Sequence, residues 1–120
     1  MIELTKRELQ IMDILWKLEK GFIRDVMEGF PEPKPHYNTL ATLIKILVKK
    51  GAVYSEKIGN MHQYTPAVAF EDYREASLGK IKEKFFENSF PKMLAHFAKK
   101  EKMSEEEKEE LIRIIKGQNK

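Results

Sequence analysis

The sequence predicts a mainly α-helical fold with one small β-hairpin. An N-terminal unit spans residues 1–68 and a helical C-terminal unit spans 69–120. Three observations predict it. Apolar residues recur at helical spacing through most of the 120 residues; the period turns extended only over 52–65; and that extended stretch folds about Gly59-Asn60. Hydrophobic residues make up 42% and charged residues 34%, enough apolar material for a core.

The first element opens on Thr5-Lys6-Arg7-Glu8, which has capping-box spacing, with Leu4 and Leu9 at the staple positions around it. Leu9, Ile11, Met12, Leu15, Trp16 and Leu18 continue a broad helical stripe, Trp16 being expected in the core, and Gly21 punctuates its end. Ile23, Val26, Met27 and Phe30 stand at i, i+3, i+4 and i+7, a short second helix. Pro31, Pro33 and Pro35 then make a stiff turn, because proline lacks an amide donor and restricts the residue before it.

A third helix is predicted from about His36 to Lys50, terminated by Gly51. Leu40, Leu43, Ile44 and Leu47 form one face; Asn38, Thr42, Lys45 and Lys49 form the opposite one, with Thr39 on the flank. The outer face carries an amide, a hydroxyl and two cations but no acid, so it lacks the opposite-charge pairs that usually support a solvated face. Residues 52–58 and 61–65 read as two strands, and Gly59-Asn60 suits a II′ or a I′ turn. Beyond Pro66, Phe70, Tyr73, Leu78, Ile81 and Phe85 mark a fourth helix to about Glu87. Phe90, Met93, Leu94 and Phe97 mark a fifth. Ser104 caps a sixth, carrying Leu111, Ile112, Ile114 and Ile115.

Charge is uneven. The whole chain is +3, yet residues 33–65 hold Lys34, Lys45, Lys49, Lys50 and Lys57 against the single acid Glu56. Such a concentration is the footprint expected for contact with a polyanion. Three short helices, the third with a basic polar face, followed by a hairpin, describe a winged helix-turn-helix. A major groove about 12 Å wide admits one helix, and only side chains opposite its core face reach base edges. Asn38, Thr42 and Lys45 are placed to read bases. Lys49, Lys50 and Lys57 are placed to contact phosphates.

The last three helices have little surface to bury among themselves. Phe70, Tyr73, Leu78, Ile81, Phe85, Phe90, Leu94, Phe97, Leu111, Ile114 and Ile115 are expected to bury against a second copy of the chain. A two-fold homodimer would set two recognition helices about 34 Å apart on palindromic double-stranded DNA. The alternative is that these helices pack in cis within a monomer.

Enzymatic function is not expected. His36, His62 and His96 are scattered, and no phosphate-binding glycine loop, nucleophile elbow or metal-ligand spacing is present. The chain has no cysteine, which removes disulfides and thiolate metal sites, and no cofactor is implied. No apolar run approaches a membrane span of about 18 residues and no secretory signal opens the chain, so a cytoplasmic protein without membrane insertion is expected. Two rival readings are a winged-helix module that docks an acidic protein, and a regulator that binds a small effector among Phe70, Tyr73, Phe85, Phe86 and Phe90.

Leu4-Thr5-Lys6-Arg7-Glu8-Leu9-Gln10-Ile11-Met12 with Leu15-Trp16 resembles the opening pattern of the BlaI/MecI/CopY family, the penicillinase repressors. Tyr37-Asn38-Thr39-Leu40-Ala41-Thr42-Leu43, Leu47, Lys50-Gly51 and Tyr64-Thr65-Pro66 are similar to its later motifs, in the same order along nearly the full chain. The resemblance implies a homodimeric transcriptional repressor on a dyad operator, with Asn38, Thr39, Thr42, Lys45, Lys49, Lys50, Lys57 and the hairpin-tip Asn60 as DNA contacts. For the β-lactam-responsive branch it implies a membrane sensor whose signal leads to cutting within the dimerisation helices, at His96-Phe97 here. The metal-responsive branch uses a C-terminal cysteine motif that this chain lacks.

Overall fold

The computed structural model of the chain describes residues 2–100 and 103–117. In order, its elements are α1 (Lys6–Leu18), α2 (Ile23–Glu28), α3 (Tyr37–Lys50), β1 (Val53–Ile58), β2 (Met61–Pro66), α4 (Phe70–Phe85), α5 (Phe90–Lys100) and α6 (Glu105–Ile115). The predicted class is borne out: helices with one two-stranded antiparallel hairpin. The chain forms two compact units, Met1–Ala76 and Ser77–Lys120.

The first unit is built on local sequence signals. The Thr5 hydroxyl accepts from the Glu8 amide at 3.2 Å, and the Glu8 carboxylate accepts from the Thr5 amide at 2.9 Å, closing the capping box of α1. The apolar stripe of α1 buries Ile11, Met12 and Leu15 completely against Val26 and Phe30 and against Leu40, Ile44 and Leu47 of α3. The close approach of α1 and α2 depends on Gly29, where a Cβ would lie 2.7 Å from Ile14 Cγ2. α3 stops at Gly51, whose φ of +83° is the left-handed cap that glycine adopts without strain.

In the hairpin, Val53 pairs with Pro66 and Ile58 with Met61. Gly59 has φ of +64° and Asn60 does not enter the left-handed region, which fits the II′ turn and not the I′ turn. Val53 and Tyr64, on one face, are buried. Gly21 does more than end a helix. Its amide donates to the Tyr64 carbonyl at 2.9 Å, and the Tyr64 amide donates back to the Gly21 carbonyl at 2.8 Å, adding a one-residue third strand to the sheet.

Trp16, expected in the core, is half-buried at its edge. Its Nε1 donates to the Val68 carbonyl at 2.9 Å, and its ring meets Phe70 edge-on at 5.3 Å and Tyr73 at 5.7 Å. These contacts attach the first turn of α4 to α1, so the boundary between units falls inside α4. The helix ends at Phe85 because Glu87 and Asn88 both take left-handed φ values.

In the second unit the Ser89 hydroxyl accepts from the Lys92 amide at 3.2 Å, and Ser104 caps α6 with a capping box to Glu107. Met93 is buried, and Phe86 meets His96 at 5.5 Å and Phe97 at 6.3 Å. Much of the remaining apolar surface is exposed: Leu78, Ile81, Phe90, Phe97, Ile112 and Ile114, with Phe85 at 66% and Ile115 at 65%. Among the described residues no helix is long and apolar enough to cross a membrane.

Candidate nucleic-acid interface

The helical period of α3 decides what it presents. Leu40, Ile44 and Leu47 are fully buried, so the opposite side must face solvent. Asn38, Thr39, Thr42, Lys45 and Lys49 are all exposed there. No acid occurs anywhere in α3. The Thr42 hydroxyl donates to the Asn38 carbonyl at 3.0 Å, which orients it along the helix and leaves its lone pairs outward. Two further side chains belong to this surface and were not among the expected contacts. Tyr37 and Ile46 are exposed. Ile46 stands four residues after Thr42 and three before Lys49, so helical spacing alone places it on this face.

The hairpin brings Lys57 and Asn60 to the same unit. Lys57 lies opposite His62 on the face that includes Tyr64, and both are exposed beyond the core. The single acid, Glu56, alternates onto the other face of β1.

Two lysines of the basic segment do internal work. Lys50, expected to contact phosphate, has its ammonium 2.6 Å from Glu8 Oε1 and donates to the Glu3 carbonyl at 2.9 Å. It therefore ties the last turn of α3 to the start of α1. The Glu8 side chain is only 4% exposed. Burial pushes its pKa up, but the Lys50 hydrogen bond and charge and the two hydrogen bonds with Thr5 outweigh that, and the net shift is downward from 4.5. Lys34 donates to the Met27, Glu28 and Phe30 carbonyls at 3.4, 3.1 and 2.6 Å, closing the C-terminal end of α2. Lys45, Lys49 and Lys57 remain as the cations directed outward.

The penicillinase repressor family model matches residues 4–117. This chain belongs to the penicillinase repressor family. It is 26% identical to the penicillinase repressor of Bacillus licheniformis over 114 residues, covering 94% of this chain and 89% of that one. It is 27% identical to the methicillin resistance regulatory protein MecI of Staphylococcus aureus (strain N315), over 94% of this chain and 93% of that protein. Among solved structures it is similar to the monomeric form of Bacillus licheniformis BlaI in complex with the blaP half-operator, at a TM-score of 0.50 and 28% identity, covering 59% of this chain and 88% of that chain. The family is one of repressors and not of enzymes. Among the described residues no group of three or more His, Asp or Glu side chains is arranged to hold a metal ion.

The expected cleavage pair His96-Phe97 lies inside α5, with both rings against Phe86. Phe70 and Tyr73, expected at a dimer interface, pack on Trp16 of their own chain. Leu94 and Leu111 are half-buried, whereas Leu78, Ile81, Phe85, Phe90, Phe97, Ile114 and Ile115 are exposed.

Proposed function

We propose that the chain is a cytoplasmic transcriptional repressor that binds a palindromic double-stranded operator as a homodimer. The observation that carries this reading is the acid-free outer face of α3, where Asn38, Thr39, Thr42, Lys45 and Lys49 stand together opposite a fully buried Leu40-Ile44-Leu47 stripe. Short polar side chains at the start of such a helix reach base edges, and the lysines farther along reach the backbone. The likeness to a BlaI chain solved on a half-operator supports the same assignment. Lys57 and Asn60 on the hairpin contact the neighbouring backbone in this arrangement.

Dimerisation falls to the second unit. Its exposed Leu78, Ile81, Phe85, Phe90, Ile114 and Ile115 form more apolar surface than a lone small unit of this kind keeps in water. Linking two half-site readers raises operator affinity by about 10² to 10⁴ through effective concentration. Derepression then consists of cutting the second unit at His96-Phe97 after a signal from a membrane sensor and its protease. That removes the avidity and leaves each reader folded. Because the pair is helical and packed on Phe86, α5 must open locally before a protease can engage it.

Competition between a palindromic duplex and a scrambled one tests the reading. A specific reader prefers the palindrome by about 10³ or more. A ratio near one would mean that the basic face docks a protein instead.

A further inference from the structure

The outer face of α3 is divided along its length. Asn38, Lys45 and Lys49 hold one flank; Thr39, Thr42 and Ile46 stand at i, i+3 and i+7 along the other. All of these are exposed. Side chains three and four apart on a helix are surface neighbours, so the second flank is a row of methyl-bearing side chains beside a row of polar and cationic ones. Ile46 ends that row. It is 38% exposed, whereas Leu43 and Val48 nearby pack against the core of the unit.

A single exposed isoleucine is ordinary on a protein surface. Ile46 differs in its company. Lys45 precedes it, Lys49 follows three positions on, and no acid occurs in the helix. The face suited to a polyanion therefore carries an apolar end that a phosphate cannot use. Thr42, one turn before Ile46, adds to it. Its hydroxyl has one donor, and that donor is engaged by the Asn38 carbonyl at 3.0 Å. Thr42 is left with a methyl group and oxygen lone pairs to offer a base.

Among the base edges of the major groove the one apolar group is the C5-methyl of thymine; every other feature there is a donor or an acceptor. An apolar side chain set among hydrogen-bonding ones has that single favourable counterpart. We infer that Ile46 is a specificity-determining residue that packs, beside the Thr42 methyl, on the 5-methyl group of a thymine in each half-site. The inference rests on the DNA-binding reading of α3 and adds to it the base at one position, chosen by apolar contact and not by hydrogen bonding.

The test begins with the wild-type full chain sorting a pool of duplexes with randomised dyad half-sites. In the duplex it enriches, each thymine is replaced by deoxyuridine, one position at a time and symmetrically in both half-sites. That change removes the methyl and keeps the base pair. At one position wild type should lose about fourfold per half-site, about fifteenfold for the two together, the loss expected for one methyl-sized apolar contact in each. Ile46→Ala should bind the thymine duplex weakly by at least a similar factor and lose little more when that thymine becomes deoxyuridine. Ile46→Val should lie between the two, and it keeps the comparison open if Ile46→Ala proves unstable. At every other position the three proteins should respond alike. An enriched half-site without thymine, wild-type affinity on every deoxyuridine duplex, or equal losses by wild type and the variants at every position would overturn the inference. A wild type that enriches no duplex sinks the DNA-binding reading itself.

Discussion

Lys45 and Lys49 are both exposed on α3, one turn apart, but differ in what they should do. Thr42→Ala or Lys45→Ala should reduce discrimination among operators by about 1–3 kcal/mol if the side chain meets a base edge. Lys49→Ala should weaken all duplexes equally and lower the salt slope by about one. Operator titrations at several salt concentrations check both. Indistinguishable behaviour of these variants and wild type would reject the face. Lys50→Met should behave differently again. It leaves the nearly buried Glu8 carboxylate without its ammonium partner, and because Lys50 is 33% exposed the cost is nearer about 2 kcal/mol than the larger values of fully buried pairs. Stability should fall in denaturant titrations while the salt slope of DNA binding stays at its wild-type value.

The same pair sets a pH dependence. Glu8 has a lower pKa folded than the ordinary 4.5, so the unfolded chain takes up that proton first. Its contribution to stability is therefore complete above about pH 4.5 and is lost as pH falls through the lowered folded value. Glu8→Gln should flatten the acid limb of the stability curve in that window. A limb as steep as wild type's would show that other carboxylates govern it.

At the scale of elements, the sequence signals that proved readable were local ones. The Thr5 and Ser104 capping boxes, the Gly51 stop and the Gly59-Asn60 turn each involve residues within a few positions of each other, and all stand where spacing placed them. The features that could not be read join distant segments. Gly21 pairs with Tyr64, Lys50 reaches Glu3 and Glu8, and Trp16 meets Val68, Phe70 and Tyr73. Periodicity assigns a side chain to a face without saying which element covers it. That is why spacing alone does not show Lys50 turned in to Glu8, or Phe70 and Tyr73 packed on Trp16. Gly29→Ala tests one such long-range contact. The added methyl would press on Ile14 at 2.7 Å and should cost about 1–3 kcal/mol, measured by chemical denaturation. Unchanged stability would mean that α1 and α2 separate freely.

For the whole molecule, the position of the boundary in α4 predicts where the chain divides usefully. A chain ended after Ala76 keeps the Trp16 contacts with Val68, Phe70 and Tyr73; one ended after Pro66 loses them. One hydrogen bond and two aromatic pairs are worth roughly 2–3 kcal/mol together, so the longer version should be the more stable by about that margin. Both should be monomers by light scattering, whereas the full chain at micromolar concentration should be a dimer. A monomeric full chain would end the proposed division of labour.

The inward turn of Lys34 and Lys50 reaches as far as the cell's ionic milieu. With Lys49 and Lys57 left to displace condensed counterions at phosphates, a pair of readers would release about four monovalent ions on settling on its target. A rise in potassium from 50 to 200 mM would then loosen the complex about a hundredfold, well short of what a tally of every lysine in that stretch would suggest.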